Sequence, residues 1–395
     1  MYFDLSIDLA TTILLSVAAA ALIYIALPYN LFVRRVARRR KACESMPAVN
    51  DDAPGWPAVS VIVYSQDEAD ALASLLPVIL NQDYPAAFEV IVVNEGDSSD
   101  VRNTVEPMQL AYRNLYLTHT PDGARNLSRK KLAITLGVKA ARYEVVVLTT
   151  VAAIIGSDKW LRAMTSQMVT DPARQIVLGY AAPVPGDDRS RGRRRRIFNY
   201  AADSVAWLAP AANRHPYRGT ELNLAYRKEL FFKNKGFSRS LNLHYGDDDI
   251  FISEIATPQN CTLELSHDSI VNFSSYDYSK TFRDIAMRHT FTETFIRRRP
   301  RAMMSSGAPA LWILLGTAAA AIAMSPMNIA VISAALIIIA AALTTVILAW
   351  RGAMTALTLT PLRLTIPFFL LMRPFRSVAL IIRSRLSHQK KYTWN

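Results

Sequence analysis

The sequence predicts an α/β fold, a mainly parallel sheet with flanking helices, with transmembrane helices at both ends. Three observations lead there. Mean hydropathy is positive although 19% of the residues are charged, so apolar residues are concentrated in segments. Charge-free apolar stretches of bilayer-crossing length stand near both ends. Between them, β-rich runs alternate with apolar residues at helical spacing. A chain of 395 residues, 51% hydrophobic, can bury a full core.

Leu9 to Leu27 carries no charge and approaches the ~20 residues that cross a hydrocarbon layer. Asp4 and Asp8 precede it, and Arg34, Arg35, Arg38, Arg39, Arg40 and Lys41 follow, an order that suits an uncleaved anchor rather than a signal peptide. Ala308 to Met324 and Ile329 to Trp350, separated by Ser325-Pro326-Met327-Asn328, predict a membrane hairpin. Arg297, Arg298, Arg299 and Arg301 precede it and Arg351 follows. The positive-inside rule then puts the N-terminus and the Ser325 to Asn328 turn outside and the central part in the cytoplasm. The expected location is therefore an integral one, in a bacterial inner membrane. Met354 to Met372 is apolar but holds Arg363 between Pro361 and Pro367, which suits an interfacial helix better than a fourth span. The expected organisation is an anchor over residues 1–33, a basic juxtamembrane linker over 34–56, a folded domain over 57–300, the hairpin over 308–350 and a tail over 351–395.

The formal charge of +13 does not point to nucleic acid. Much of the excess lies in runs beside the apolar segments and at Arg189, Arg191 and Arg193 to Arg196, where anionic headgroups are the simpler partner. No aromatic-interleaved basic motif is present. Cys43 and Cys261 are too few for a disulfide framework or a zinc site, in keeping with a reducing compartment.

In the central part, Val59 to Tyr64 predicts a strand, and Leu72, Leu75, Leu76, Ile79 and Leu80 a helix. Glu89 to Val93 and Leu115 to Leu117 predict strands, Leu127 to Ala141 an amphipathic helix, and Glu144 to Leu148 a buried strand. Such alternation implies right-handed crossovers and a sheet covered on both faces. Ligands then bind at the carboxyl ends of the strands, which here are Ser65 to Glu68, Asn94 to Asp97 and Thr149 to Ala153. The sequence contains no P-loop, GxGxxG, HExxH or internal repeat. On composition alone, Asp67, Glu68 and Glu95 could equally be turn or cap carboxylates. Lys130 could be a solvated lysine, Gly246-Asp247-Asp248-Asp249 a solvated turn, and Arg288-His289 surface charge.

The stretch VSVIVYSQDEADALASLLPVILNQDYPAAFEVIVVNEGDSSD resembles the opening of family 2 glycosyltransferases, which have the GT-A fold. Lys130 to Gly137 resembles the family's G-K-x-x-A-L-N-x-G helix, and GTELNLAYRK, Gly219 to Lys228, its acceptor-side strand. Gly246 to Asp249 falls where the family carries an E-D pair, and the resemblance covers about Pro57 to Phe295. It implies transfer of a sugar from a nucleotide sugar to a hydroxyl, with inversion. On motif alignment Asp248 would be the base and Asp247 its neighbour, with Asp67, Glu68 and Glu95 holding the nucleoside and Lys130 near the phosphates. Arg288 and His289 would be possible phosphate contacts, although Ile285 and His289 replace the Gln and Trp of the family's Q-x-x-R-W. The acceptor would be a membrane lipid or a lipid-linked glycan, and the partners membrane glycan-assembly proteins.

One motif departs from the pattern. Where the family has D-x-D, this chain has Thr150-Val151-Ala152 at the donor, and Gly156 to Leu161 fix the register. The family's carboxylates hold a manganese or magnesium ion against the diphosphate; Thr and Ala cannot. The sequence therefore supports two expectations. One is a sugar transferase that does not depend on a metal in the usual way, and the other a non-catalytic homologue that senses nucleotide sugars or acts as a scaffold. Asp158, just ahead of Lys159-Trp160-Leu161, is the nearest carboxylate and suits a helix cap or first turn.

Overall fold

A computed structural model describes residues 8–121, 128–296 and 301–386. Asp4, Leu127 and Arg297 to Arg299, used above, lie outside them. Contacts divide the chain into two compact units, one built from residues 8–38, 188–209 and 301–383, the other from the remainder.

The first helix, α1 (Leu9–Tyr24), is capped by Asp8, whose carboxylate accepts from the Thr11 amide at 3.3 Å. It does not end at Leu27: a π-helical turn, Ile25–Tyr29, carries it into α2 (Asn30–Glu44). Pro28 lies in that turn, where the missing N–H breaks the regular ladder. The arginines expected on a linker are thus helical.

The sheet then opens with β1 (Val59–Ser65), α3 (Ala69–Leu80), β2 (Phe88–Asn94), α4 (Ser99–Ala111), β3 (Leu115–His119), α5 (Arg129–Ala140) and β4 (Val145–Thr150). Next come β5 (Ile154–Ile155), α6 (Trp160–Thr170), β6 (Ile176–Leu178), β7 (Ala181–Pro183), α7 (Arg193–Ala212), β8 (Leu224–Arg227), α8 (Lys228–Lys233) and α9 (Asp249–Ile255). They are followed by β9 (Cys261–Leu263), β10 (Val271–Phe273) and α10 (Tyr278–Thr292).

Seven strands pair in the order β3-β2-β1-β4-β8-β6-β9. The first four are parallel, β8 runs antiparallel to both neighbours, and β9 is parallel to β6. Val59, Val61, Val63, Val90, Val92 and Val145 to Val147 are fully buried, as expected of strands covered on both faces. Gly137 lets α5 approach the sheet, since a Cβ there would stand 2.7 Å from Ile62 Cγ2. The switch from parallel strands to the reversed β8 sets the ends of β1, β2 and β4 beside the loop that enters β8.

The other unit holds three further long helices, α11 (Arg301–Met324), α12 (Ile329–Ala356) and α13 (Thr365–Leu386). Small side chains bring helices together there: Ala18 of α1, Ala318 of α11 and Ala335 of α12 form one buried cluster. Leu9–Glu44, Ala302–Met324, Ile329–Ala356 and Thr365–Leu386 are each long and apolar enough to cross a membrane. The expected 354–372 helix is not one element. The last residues of α12 take up its start, Thr358 adopts a φ of 55°, and α13 begins only at Thr365. Pro361 breaks the path between, having no amide to offer a helix.

Candidate active site

The site is assembled from loops at the carboxyl ends of the parallel strands. After β1, Asp67 adopts a φ of 59°, and its carboxylate accepts from the Asn94 side-chain amide at 2.7 Å while its own amide donates back at 3.1 Å. Asn94 ends β2, so this reciprocal pair ties the two strand ends together. Glu68 accepts from the Gln66 amide at 2.7 Å, an intraloop turn role. Glu95 is drawn inward, where it accepts from the Tyr64 hydroxyl and lies 3.9 Å from Arg129. Burial first, and then this bond to Glu95, push the Tyr64 phenol well above its ordinary range.

Lys130, in the first turn of α5, links this side of the site to the next. Its ammonium lies 5.6 Å from the Tyr64 ring centroid, pairs with Glu221 and stands 3.0 Å from Asp247. Glu221 also accepts from Arg288 of α10 at 2.8 Å, and the same guanidinium is 3.7 Å from Asp248. Both cations are thus partly buried and paired with carboxylates rather than free in solvent. His289 lies one residue further round α10, and its backbone carbonyl accepts from Arg218 at 3.3 Å.

Asp247, Asp248 and Asp249 are all buried, contrary to a solvated turn. Gly246 makes the loop possible with a φ of 108°. Asp248 caps α9, accepting from the Asp249 amide at 2.8 Å and from the Glu221 amide at 3.3 Å. Asp249 accepts from Thr292 and lies 3.5 Å from the buried Arg218, so it belongs to the wall behind the site. Lys131 is fully buried, and its ammonium donates to the carbonyls of Leu243 at 3.0 Å and Tyr245 at 2.8 Å, and to Ser240. It pins the loop that leads into Asp247. Burial pulls its pKa down to about 8.

The two site aspartates are pushed apart. Burial drives Asp247 upward, but Lys130 and Arg288 outweigh it and hold the carboxyl below the usual range. Burial drives Asp248 up to about 6, with Asp247 and Asp249 adding repulsion and Arg288 opposing. Unequal proton affinities in neighbouring carboxyls are what acid–base chemistry uses.

The end of β4 is different. Thr150 pairs in register with Tyr64, and its hydroxyl accepts from the Ala152 amide at 3.3 Å, closing the turn without a carboxylate. These residues do not fit a divalent cation. Among the described residues, no group of three or more His, Cys, Asp and Glu could hold one. Asp158 does not cap α6, since the cap position is Lys159, whose amide donates to Ser157 at 3.1 Å.

No protein-family model matches the sequence, and no curated protein does. Solved structures do. Mannosyltransferase PcManGT from Pyrobaculum calidifontis, in complex with GDP-Man and Mn2+, is similar with a TM-score of 0.52 and 21% identity, over 92% of this chain and 99% of that one. Glucosyl-3-phosphoglycerate synthase from Mycobacterium tuberculosis, in complex with phosphoglyceric acid, aligns with a TM-score of 0.44 and 14% identity, over 64% of this chain and 85% of that one. The fold is GT-A-like, and the likeness to the mannosyltransferase extends to the fold alone.

Sequence reasoning missed Glu221, Tyr64 and Arg218 as site residues. Glu221 was visible as the carboxylate inside GTELNLAYRK, and Arg218 stands just before that stretch. Lys131 carried a signal too, because it shares an i, i+3 face with the buried Ile134.

Proposed function

We propose that the chain transfers a sugar from a nucleoside-diphosphate sugar to a hydroxyl of a membrane-associated acceptor, with inversion. The observation that supports this best is Asp248, a buried carboxyl with a pKa of about 6, set beside two cations at the carboxyl edge of a GT-A sheet. In this reading the Asp248 carboxylate takes the acceptor's proton as its oxygen bonds to the anomeric carbon. The bond from that carbon to the diphosphate breaks, and its electron pair leaves with the phosphate oxygen. Asp247 keeps Lys130 in place, and Lys130 and Arg288 face the growing negative charge. Asp67, Glu68 and Glu95 line the nucleoside side, Glu68 and Asp67 being exposed there and Glu95 held by Tyr64. The four long apolar helices support a membrane-bound acceptor, a lipid or a lipid-linked glycan, with the catalytic unit on the cytoplasmic face.

The test is product formation by the full chain in native-like membranes, with UDP- and GDP-sugars supplied in turn. Transfer that disappears in Asp248→Asn supports the reading. Nucleotide-sugar binding with no turnover for any acceptor lipid supports a second one, a non-catalytic sensor or scaffold among glycan-assembly proteins. The neutral Thr150-Val151-Ala152 turn is the observation favouring that alternative.

A further inference from the structure

We propose that Lys130 and Arg288 form a diphosphate subsite that works without a divalent cation, and that Glu221 is its built-in counterion, displaced when a phosphate arrives. The inference rests on the nucleotide-sugar reading and deepens it.

Glu221 is shared between two cations. One carboxylate oxygen accepts from Arg288 Nη1 at 2.8 Å, and the other pairs with Lys130. A planar anion bridging a guanidinium and an ammonium is the arrangement that two phosphate oxygens also satisfy. Glu221 thus stands where a phosphate would be most favoured. It is also free to leave, because its backbone is fixed independently. Its amide donates to Asp248 at 3.3 Å, so a change of side-chain rotamer would vacate the position with the loop unmoved.

The cations would remain in place. Lys130 keeps Asp247 at 3.0 Å and the Tyr64 ring at 5.6 Å, and Arg288 keeps Asp248 at 3.7 Å. Their side chains are only 20% and 18% exposed, which limits screening by salt. Arg288 Nε is buried with no hydrogen-bond acceptor, which leaves the guanidinium a donor in hand. The exchange also offsets part of the charge that enters, since one carboxylate moves away from the cations as the phosphate arrives. The β4 turn gives a hard cation no carboxylate, so cationic side chains are what these residues offer a diphosphate.

Calorimetry on the full chain in nanodiscs, with EDTA present, tests this using pyrophosphate, UDP and GDP as probes. At least one probe is expected to bind, about tenfold tighter in Glu221→Gln and about tenfold weaker in Lys130→Met, with Lys130→Arg close to the parent. Adding manganese is expected to change affinity less than about twofold. Thermal unfolding of each variant confirms that it is folded. The inference is overturned if no probe binds in EDTA, or if Glu221→Gln binds no tighter than the parent. Sugar transfer seen only with manganese would overturn it while leaving the transferase reading intact. Metal-free binding without transfer would do the reverse.

Discussion

Two loops at the same edge of the sheet carry very different chemistry. At the approach to α9 the buried charges are tied into the fold: Asp248 caps the helix, Asp249 is bonded to Thr292 beside Arg218, and Lys131 holds the carbonyls of the incoming loop. At the end of β4 the turn closes on a threonine hydroxyl and backbone alone. A metal-binding turn needs carboxylates only for its metal, so neutral residues leave the strand intact. Changing the acidic loop removes a cap and leaves buried cations unpaired. The difference separates residues that build the site from residues that would only load it.

The largest expected effect breaks the acidic side of the comparison. Asp248→Asn keeps the cap acceptor but cannot take a proton, so transfer should fall by about 10²- to 10⁴-fold, with nucleotide affinity within about threefold of the parent. Product assays and calorimetry on the same preparation check both. The rate in the parent should also depend on pH. The active form is the carboxylate, so kcat/KM should rise through pH 6 and lose about tenfold per unit below it. Stability runs the other way for this group. Its folded pKa lies above the unfolded value of about 4, so ionising it between about pH 4 and 6 costs stability as pH rises. A rate that is flat from pH 5 to 8 would remove Asp248 as the base.

Lys131 gives the next effect in size. Replacing it by methionine leaves the carbonyls of Ser240, Leu243 and Tyr245 without their donor in a buried place. Each orphaned acceptor costs about 1–3 kcal/mol, so a total of about 3 kcal/mol is expected, after allowing for the desolvated charge that is removed. The thermal midpoint should drop clearly. A midpoint equal to the parent's would show that the loop into Asp247 holds itself.

How much of this was legible in sequence follows from what each residue does locally. The parallel strands were readable because Val61 to Val63, Val90 to Val93 and Val145 to Val147 are continuous apolar runs, buried on both faces. The reversed β8 was not, since its direction is set by pairing with β4 and β6, far away in sequence. The order of loops at the sheet's carboxyl edge was readable for the same reason as the strands. The partners were not: Lys130 meets Glu221 across 91 positions and Arg288 meets it across 67. No local pattern encodes such pairs. The helical continuation through Pro28 was hidden too, because proline ordinarily signals an end rather than a π-turn.

The smallest expected effect sharpens the comparison most directly. Thr150→Asp combined with Ala152→Asp puts two carboxylates at the end of β4, where position 150 pairs in register with Tyr64 and position 152 is exposed. The turn should survive, because an aspartate at 150 can accept from the amide of residue 152 as the threonine does at 3.3 Å. The parent is expected to bind UDP or GDP equally with manganese and with EDTA. The double variant should bind about tenfold more tightly with manganese, and more weakly than the parent in EDTA, where two added negative charges repel the diphosphate. Both arms are needed. A gain with manganese alone could come from a metal held by the nucleotide, whereas the loss in EDTA reports charges placed beside the phosphates. If neither changes, the end of β4 does not face the diphosphate, and the contrast between the two loops is one of structure only. If the unmodified chain already responds strongly to manganese, its metal is held by residues other than these two.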